Sequence, residues 1–521
     1  MPAYSRFLIK NANIITGDNT PCFKGMAAVE GSRIIYVGAD IPFECEYVVD
    51  AEGLNLSPGF IDVHGHSDFS ILLYPEASSK LLQGVTTEIS GNCGLSSSPL
   101  YETAYNRWAP RWERNGLNVT WRTPKDYFSV LEHAEPAINF LPLLGHTNVR
   151  TAIKGYHSGT LDANELAQFK EVLNEALING FYGISLGLAY PPGIFAHETE
   201  LSVLFDAAAR HVIPVTVHMR DEGPEVEEAL DEMIRLAEKS GAALQVSHLK
   251  AYGTKNWHKA KLLCETIQAH HDKGLNIHFD RYPYTAFNTD LDIILPQALF
   301  DGGHEKALSR LQERKDELAI YLSTRFSYAD AEKIIISDCV DEDCIGKPLP
   351  AIIGAERGEI FWKQVIEFIC AVKFDVFANF FLMNDEELVT ITRHPLCIIA
   401  SDSSVRPMNI GRERPHPRTY GTFPRFLCMV LADNIISAEE AVYKMTGLPA
   451  RKFGIPLRGL IKEGYYADLV LWDQRKIADR AAYSQPAHAP DGIRAVWVNG
   501  RQAVSDGKQT GIRAGKLLLK R

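Results

Sequence analysis

The chain lacks any apolar run approaching the roughly 20 residues a membrane helix requires, so a membrane-spanning role is not expected. It also lacks basic clusters: "RWERNG" and "GRERPHPR" are scattered exceptions in a chain of net charge −11. Nucleic-acid binders need concentrated positive charge to displace counterions, so no nucleic-acid partner is expected. The opening "MPAYSRFLIKNANIITGDN" has neither an uninterrupted apolar core nor a small-residue cleavage site, unlike a secretory leader. A disulfide framework is missing as well. Nine cysteines form an odd, scattered set, which fits a reducing cytoplasm and mostly inert thiols. "CVDEDC" (Cys339 and Cys344) has no histidine nearby and reads as loop or helix edge.

What is present is a soluble, globular composition, with 46% hydrophobic residues over 521 positions. That length suits one large domain with additions, or two or three ordinary ones. Eight short apolar, β-rich runs recur: 56–66, 85–93, 139–146, 182–187, 213–220, 243–250, 275–284 and 396–403. Helical stretches lie between them. In "LDANELAQFKEVLNEALING", Asp162 and Glu165 can form a capping box ahead of a stripe of Leu166, Phe169, Val172, Leu173 and Leu177. "EGPEVEEALDEMIRLAEKSG" has Pro224 near its start and Gly241 just past its end.

Apolar strands alternating with helices imply a parallel sheet covered on its outer face, and eight units imply a TIM-like (β/α)8 barrel. An open doubly wound sheet would concentrate its polar groups at one switch point. Here they end nearly every run, which favours the barrel. Residues 1–57 and 455–521 carry β-patterned pieces such as "RFLIKNANIIT", "SRIIYVGA", "ADLVLWD" and "IRAVWVNGRQAV". These chain ends are expected to build one small β-sandwich beside a catalytic barrel spanning 58–454. Residues 286–350 are too long for a loop and are expected to form an inserted lid or subdomain.

The strand ends carry the chemistry. His64 and His66 in "DVHGHSD" are two apart, so in a strand both imidazoles face one side. Such a pair alone is usually a surface accident. Cys93 ends the second run, His218 the fifth, His248 the sixth and Asp402 the eighth, giving six metal-ligand types on five strand ends. Imidazole and thiolate suit Zn²⁺. A nucleophilic cysteine would want a histidine base and an oxyanion hole, whereas Cys93 is surrounded by ligand types, so it reads as a ligand.

With these residues on the page, the chain resembles the amidohydrolase superfamily, and within it the D-aminoacylase (N-acyl-D-amino-acid deacylase) family. The resemblance runs nearly end to end. It includes "PGFIDVHGHSD", "EISGNCG", "GHTNVR", "SLGLAYPPG", "VHMRDEG", "QVSHLKAYG", "DRYPYTAFNTDL", "IIASDSS", "HPRTYGTFPR", "MTGLPARKFG" and "RGLIKEGYYADLVLWD". It implies a barrel plus β-sandwich, with cysteine in place of the carboxylated lysine that bridges metals in many relatives. It implies that Cys93, His218 and His248 hold a tightly bound zinc, with His64, His66 and Asp402 lining a second, weaker position.

The activity implied is zinc-dependent hydrolysis of an N-acyl-D-amino acid to a carboxylate and a free D-amino acid. Zinc polarises the amide carbonyl while Asp402 serves as general base and then acid. The resemblance points to Lys250, Tyr282 and Arg418 for the substrate α-carboxylate, with Tyr190 a weaker candidate for the same pocket. For Tyr284 a structural role in the core is expected. Two departures stand out. "SSVRPMNIGRERPHP" looks longer than the usual family loop, and "FNTDLD" places Asp290 and Asp292 near the expected side-chain pocket; if either faces substrate, an acidic side chain would be repelled and neutral or apolar D-amino acids are expected. The alternatives are a cyclic-amide hydrolase of dihydroorotase or hydantoinase type, which usually needs the bridging lysine, and a non-catalytic scaffold, which typically loses ligands.

Overall fold

The computed structural model describes residues 6–354, 356–432 and 434–520. Eight strands form the barrel: β1 (Phe60–Gly65), β2 (Val85–Ser90), β3 (Asn139–Pro142), β4 (Ile184–Gly187), β5 (Val215–His218), β6 (Leu244–Val246), β7 (Ile277–Arg281) and β8 (Cys397–Ile399). Parallel ladders join β1 to β2 and β2 to β3, and a second run joins β4 through to β8 in order. Between β3 and β4 the pairing is carried by Tyr182 N–H donating to Pro142 O at 2.8 Å and by Leu144–Gly145 against Ile184–Ser185. The ring closes where Gly65 bridges Ser403 and His66 N–H donates to Ser403 O at 3.1 Å. Closure leaves no free edge.

The helices follow from their sequence. Asp162 and Glu165 make the reciprocal cap of Ala163–Leu177, whose Phe169, Leu173, Ala176 and Leu177 are buried. Val226–Ser240 ends at Gly241, which takes the left-handed φ of 75° that a glycine adopts at little cost.

The first apolar run, expected as one strand over 56–66, divides at Gly59. Asn55–Pro58 pairs with Leu469–Trp472 and with the end of Arg6–Ile14, whereas β1 begins at Phe60. A Cβ at Gly59 would lie 2.1 Å from Thr86 Oγ1, so this crossing between sheets requires glycine. The two chain ends hydrogen-bond into one nine-stranded sheet. It curls until Ile34 N–H meets Tyr465 O, around a core that includes Phe7, Ile9, Leu56, Leu469 and Trp497. Beyond it, the last residues return to the barrel, where Phe140 pairs with Lys516 and Leu518, and Lys520 N–H donates to Gly180 O.

The segment expected to end near 350 continues further. Phe287–Asp290, Val376–Phe380 and Ile334–Cys339 form a separate antiparallel sheet with Val376–Phe380 in the middle. Residues from Leu291 to Leu382 form its core, including Leu311, Leu322, Trp362, Ile366 and Phe380. The central strand cannot be removed without exposing that core, at roughly 1.5–3 kcal/mol per large side chain, so the subdomain extends past Phe380. Among the described residues all nine cysteines are free, including Cys339 and Cys344, and no helix is long and apolar enough to cross a membrane.

Candidate metal centre

The six strand-end residues converge. His64, His66, Cys93 and Asp402 place one ligand atom each within 4.8 Å of one another, and so do Cys93, His218 and His248. Cys93 belongs to both groups. Its Sγ lies 3.3 Å from His64 Nε2 and 3.5 Å from His248 Nε2. Asp402 Oδ1 lies 3.1 Å from His66 Nε2 and 3.5 Å from His64 Nε2. His64 is fully buried while the His66 side chain is 30% exposed, so the group that contains Asp402 opens towards solvent on the His66 side.

The donor set fits a metal. His64 Nδ1 lies 3.0 Å from Asp280 Oδ1, and a proton held there fixes the tautomer whose free Nε2 faces Cys93. His248 Nδ1 is backed by Glu222 Oε1 at 2.7 Å in the same manner. Burial alone would raise the Cys93 thiol, but His64 and hydrogen bonds from His218, His248 and His64 hold it well below the usual thiol range. His66 is raised to about 9; burial opposes this, and the Asp402 carboxylate and Cys93 outweigh it. A thiolate, four imidazoles and one carboxylate are the N, S and O donors that suit Zn²⁺.

Asp402 is anchored from the other side. Arg418, first residue of the helix Arg418–Ala432, places Nη1 2.9 Å from Asp402 Oδ2. Burial would raise the Asp402 carboxyl, yet Arg418, His248, His64 and His66 hold it well below the ordinary carboxylate range. The Arg418 guanidinium also stacks 4.6 Å from the Tyr282 ring, and the Tyr282 hydroxyl is buried without a hydrogen-bond partner among the described residues. Tyr190 packs its ring 4.8 Å from that of His218 and its hydroxyl 3.0 Å from Thr289 Oγ1. Lys250 is buried with Nζ 2.6 Å from Glu222 Oε2 and 2.9 Å from His248 Nδ1. Tyr284 stands apart and donates its hydroxyl to Asp479 Oδ2 at 2.9 Å.

Asp290 and Asp292 do not form a bare acidic wall. Burial raises both carboxyls, Asp292 well above its usual range. Arg111 and Arg107 stabilise the charge of Asp290, and Asp292 Oδ2 lies 3.9 Å from His304 Nε2.

Sequence reasoning passed over Glu222 and Asp280, although both stand in strings already singled out, "VHMRDEG" and "DRYPY". Asking which carboxylate holds the second nitrogen of each ligand histidine would have found them.

An amidohydrolase family model matches residues 47–274 and 387–504, leaving out most of the inserted subdomain. The chain is 32% identical to the N-acyl-D-aspartate deacylase of Alcaligenes xylosoxydans xylosoxydans, over 99% of this chain and 95% of the relative. It is 31% identical to the D-aminoacylase of the same organism, over 98% and 97% of the two chains. Among solved structures, an N-acyl-D-glutamate deacylase from Bordetella bronchiseptica, complexed with zinc and a phosphonate mimic of the tetrahedral intermediate, superposes with a TM-score of 0.82 at 30% identity over 99% of each chain. The chain belongs to the amidohydrolase family, in its N-acyl-D-amino-acid deacylase branch.

Proposed function

We propose that the protein hydrolyses N-acyl-D-amino acids to a carboxylate and the free D-amino acid, with zinc as cofactor. The observation that carries this reading is the Cys93 sulfur, shared by both ligand groups beside an Asp402 carboxylate that Arg418 keeps ionised. Cys93, His218 and His248 would hold the tightly bound ion, and His64, His66 and Asp402 would line the weaker position. When bound, zinc supplies Lewis acidity to an amide carbonyl.

The chain's own residues do the rest. Asp402 accepts the proton of the attacking water at Oδ1, which faces His66, while Arg418 retains Oδ2. The same carboxyl then gives that proton to the leaving nitrogen as the carbon–nitrogen bond breaks, so no net proton is gained or lost at Asp402. The Tyr282 hydroxyl, lacking a partner, with Arg418 stacked on its ring, supports assigning these two to the substrate α-carboxylate. Lys250 would add a third donor while sharing its charge with Glu222, and the Tyr190 ring would wall the same pocket.

Two rival readings lose support. A cyclic-amide hydrolase would want a lysine where Cys93 stands, and a silent scaffold would have lost ligands that are all in place. The free state of all nine thiols supports a reducing compartment, the cytoplasm. The test is to load the protein with zinc and offer N-acetyl and N-formyl derivatives of both enantiomers, with a hydantoin and a dihydroorotate alongside. Chiral chromatography should show release of D-amino acids only. Ring opening of the cyclic amides, or no D-amino acid, would end the proposal.

A further inference from the structure

Lys80 is a fully buried lysine that touches no ligand side chain. It sits on the one-turn helix Ser78–Leu81 and directs Nζ at Asp62 Oδ2 (2.7 Å), Ser401 Oγ (2.7 Å), Ser403 O (3.0 Å) and Ser403 Oγ (3.3 Å), with Glu88 Oε2 also 3.3 Å away. Ser401 and Ser403 are the two neighbours of Asp402. Asp62 Oδ1 in turn accepts from Ser401 N–H at 3.0 Å and His64 N–H at 3.2 Å, and Ser403 O accepts from His66 N–H at 3.1 Å. One ammonium thus lies at the centre of a network that reaches the backbone of His64 and His66 and both flanks of Asp402.

This is the seam of the barrel. Past Ala400, whose N–H still donates to Arg281 O at 3.1 Å, the eighth strand has left its ladder, and the only bridge to β1 among the described residues is Gly65 with Ser403. Asp402 there holds a φ of 50°, a left-handed conformation that is strained for a non-glycine residue. A regular ladder does not hold it, so side chains must. Burying a lysine is expensive unless its hydrogen bonds are satisfied, and here they are satisfied by groups that frame the ligands. Glu88 fits the same account: a Cβ on Gly65 would come 2.0 Å from Glu88 Oε1, so only glycine can stand between the two histidines.

We propose that Lys80 is a positioning residue for Asp402 and for the His64/His66 pair, and that it has no such role for Cys93, His218 and His248. The catalytic half of this inference rests on Asp402 as proton carrier; the metal-binding half does not. Lys80→Met should fold, keep one zinc per chain and bind a second zinc about 10–100-fold more weakly in titration calorimetry. Its kcat for an N-acetyl-D-amino acid should fall by about tenfold or more while KM stays near the wild-type value. Lys80→Arg, which keeps the charge, should recover part of both losses. Unchanged second-ion affinity and unchanged kcat in folded Lys80→Met would overturn the proposal, as would loss of the first zinc in parallel with the second. Should Lys80→Met not fold, Ser401→Ala decides: it removes one hydroxyl of the network and should weaken the second ion and kcat together, and an unchanged pair of values overturns the assignment. If the wild-type enzyme releases no D-amino acid, the calorimetry alone judges Lys80.

Discussion

Replacing Glu222 tests the idea that the tight metal group is held from behind. Its carboxylate is 7% exposed and sits between two cationic groups, with His248 Nδ1 at 2.7 Å and Lys250 Nζ at 2.6 Å. Burial would raise it, but His218, Lys250 and His248 hold it well below the ordinary carboxylate range, so it is ionised at neutral pH. Two effects compete on mutation. Glu222→Ala leaves Lys250 buried and unpaired, which costs about 3–5 kcal/mol of stability. Loss of the partner behind a ligand histidine costs about 10–100-fold in metal affinity, about 1.4–2.8 kcal/mol. In the alanine variant the first effect exceeds the second, and unfolding would mask the metal defect. Glu222→Gln keeps the shape and one acceptor oxygen, enough for one of the two partners, so the stability loss shrinks and the metal effect becomes measurable. The assay is zinc retention against a chelator of known affinity, beside urea unfolding of the zinc-loaded protein. Glu222→Gln should lose zinc at about 10–100-fold lower chelator strength with its unfolding midpoint only modestly lowered. Zinc affinity within about twofold of wild type, below the 10–100-fold expected for such a partner, would refute the reasoning, because the carboxylate would then be only a counterion for Lys250.

Asp402→Asn should keep zinc on the Cys93 group and lose about 10²–10⁴-fold in kcat, read by D-amino-acid release; near-normal turnover removes Asp402 from proton transfer. Arg418→Met should raise KM for N-acetyl-D-amino acids by about 10–100-fold, the value of one charged hydrogen bond, and a KM unchanged with kcat intact would take Arg418 away from the substrate carboxylate. His304 gives a pH prediction. Burial and then Arg107 push its folded-state pKa down to about 3, so the folded chain keeps it neutral while the unfolded chain protonates it below about 6.5. Stability from this group is therefore complete above that pH and is lost on acidification, by up to about 2 kcal/mol at pH 5. In urea unfolding, His304→Gln should lose correspondingly less stability between pH 7 and pH 5 than wild type; an identical loss refutes the assignment.

The barrel was legible because its strands lie in largely apolar runs, nearly all of which end in a polar residue, and such runs need only local reading. Its edges were less so. Nothing in "LSPGFIDVHGH" marks that Asn55–Pro58 pairs with Leu469–Trp472, a strand more than 400 residues away, since both halves are equally apolar. The inserted subdomain was placed but ended too early for the same reason. "VFANF" at 376–380 becomes a central strand only through its neighbours Phe287–Asp290 and Ile334–Cys339, and neither pairing is local. The convergence of the six strand-end residues was foreseeable from the runs, whereas the burial of Lys80 was not. A lysine in a short polar turn is ordinarily a surface residue, and only the closed barrel reveals that "SSKL" turns its lysine inward.

Three of the candidate ligands share a conformational property that links these observations. Cys93, His248 and Asp402 leave their strand ends with φ of 53°, 34° and 50°. Three non-glycine residues in that region cost about 1–3 kcal/mol each, so the surroundings must determine them. In each case a buried side chain binds a main-chain amide at or beside the strained residue. Ser185 accepts from Gly94 N–H at 2.7 Å next to Cys93, Asp280 from His248 N–H at 2.9 Å, and Asp62 from Ser401 N–H at 3.0 Å next to Asp402. Asp280 also meets His64 Nδ1, and Asp62 also receives His64 N–H, so the two ligand groups are tied through shared supports as well as through the Cys93 sulfur. Regular strand geometry would send alternate side chains to opposite faces. A left-handed residue just past the second, sixth and eighth strands breaks that alternation where Cys93, His248 and Asp402 meet. The strain is thus part of how the barrel gathers its donors, and the buried polar residues beneath them keep it in place.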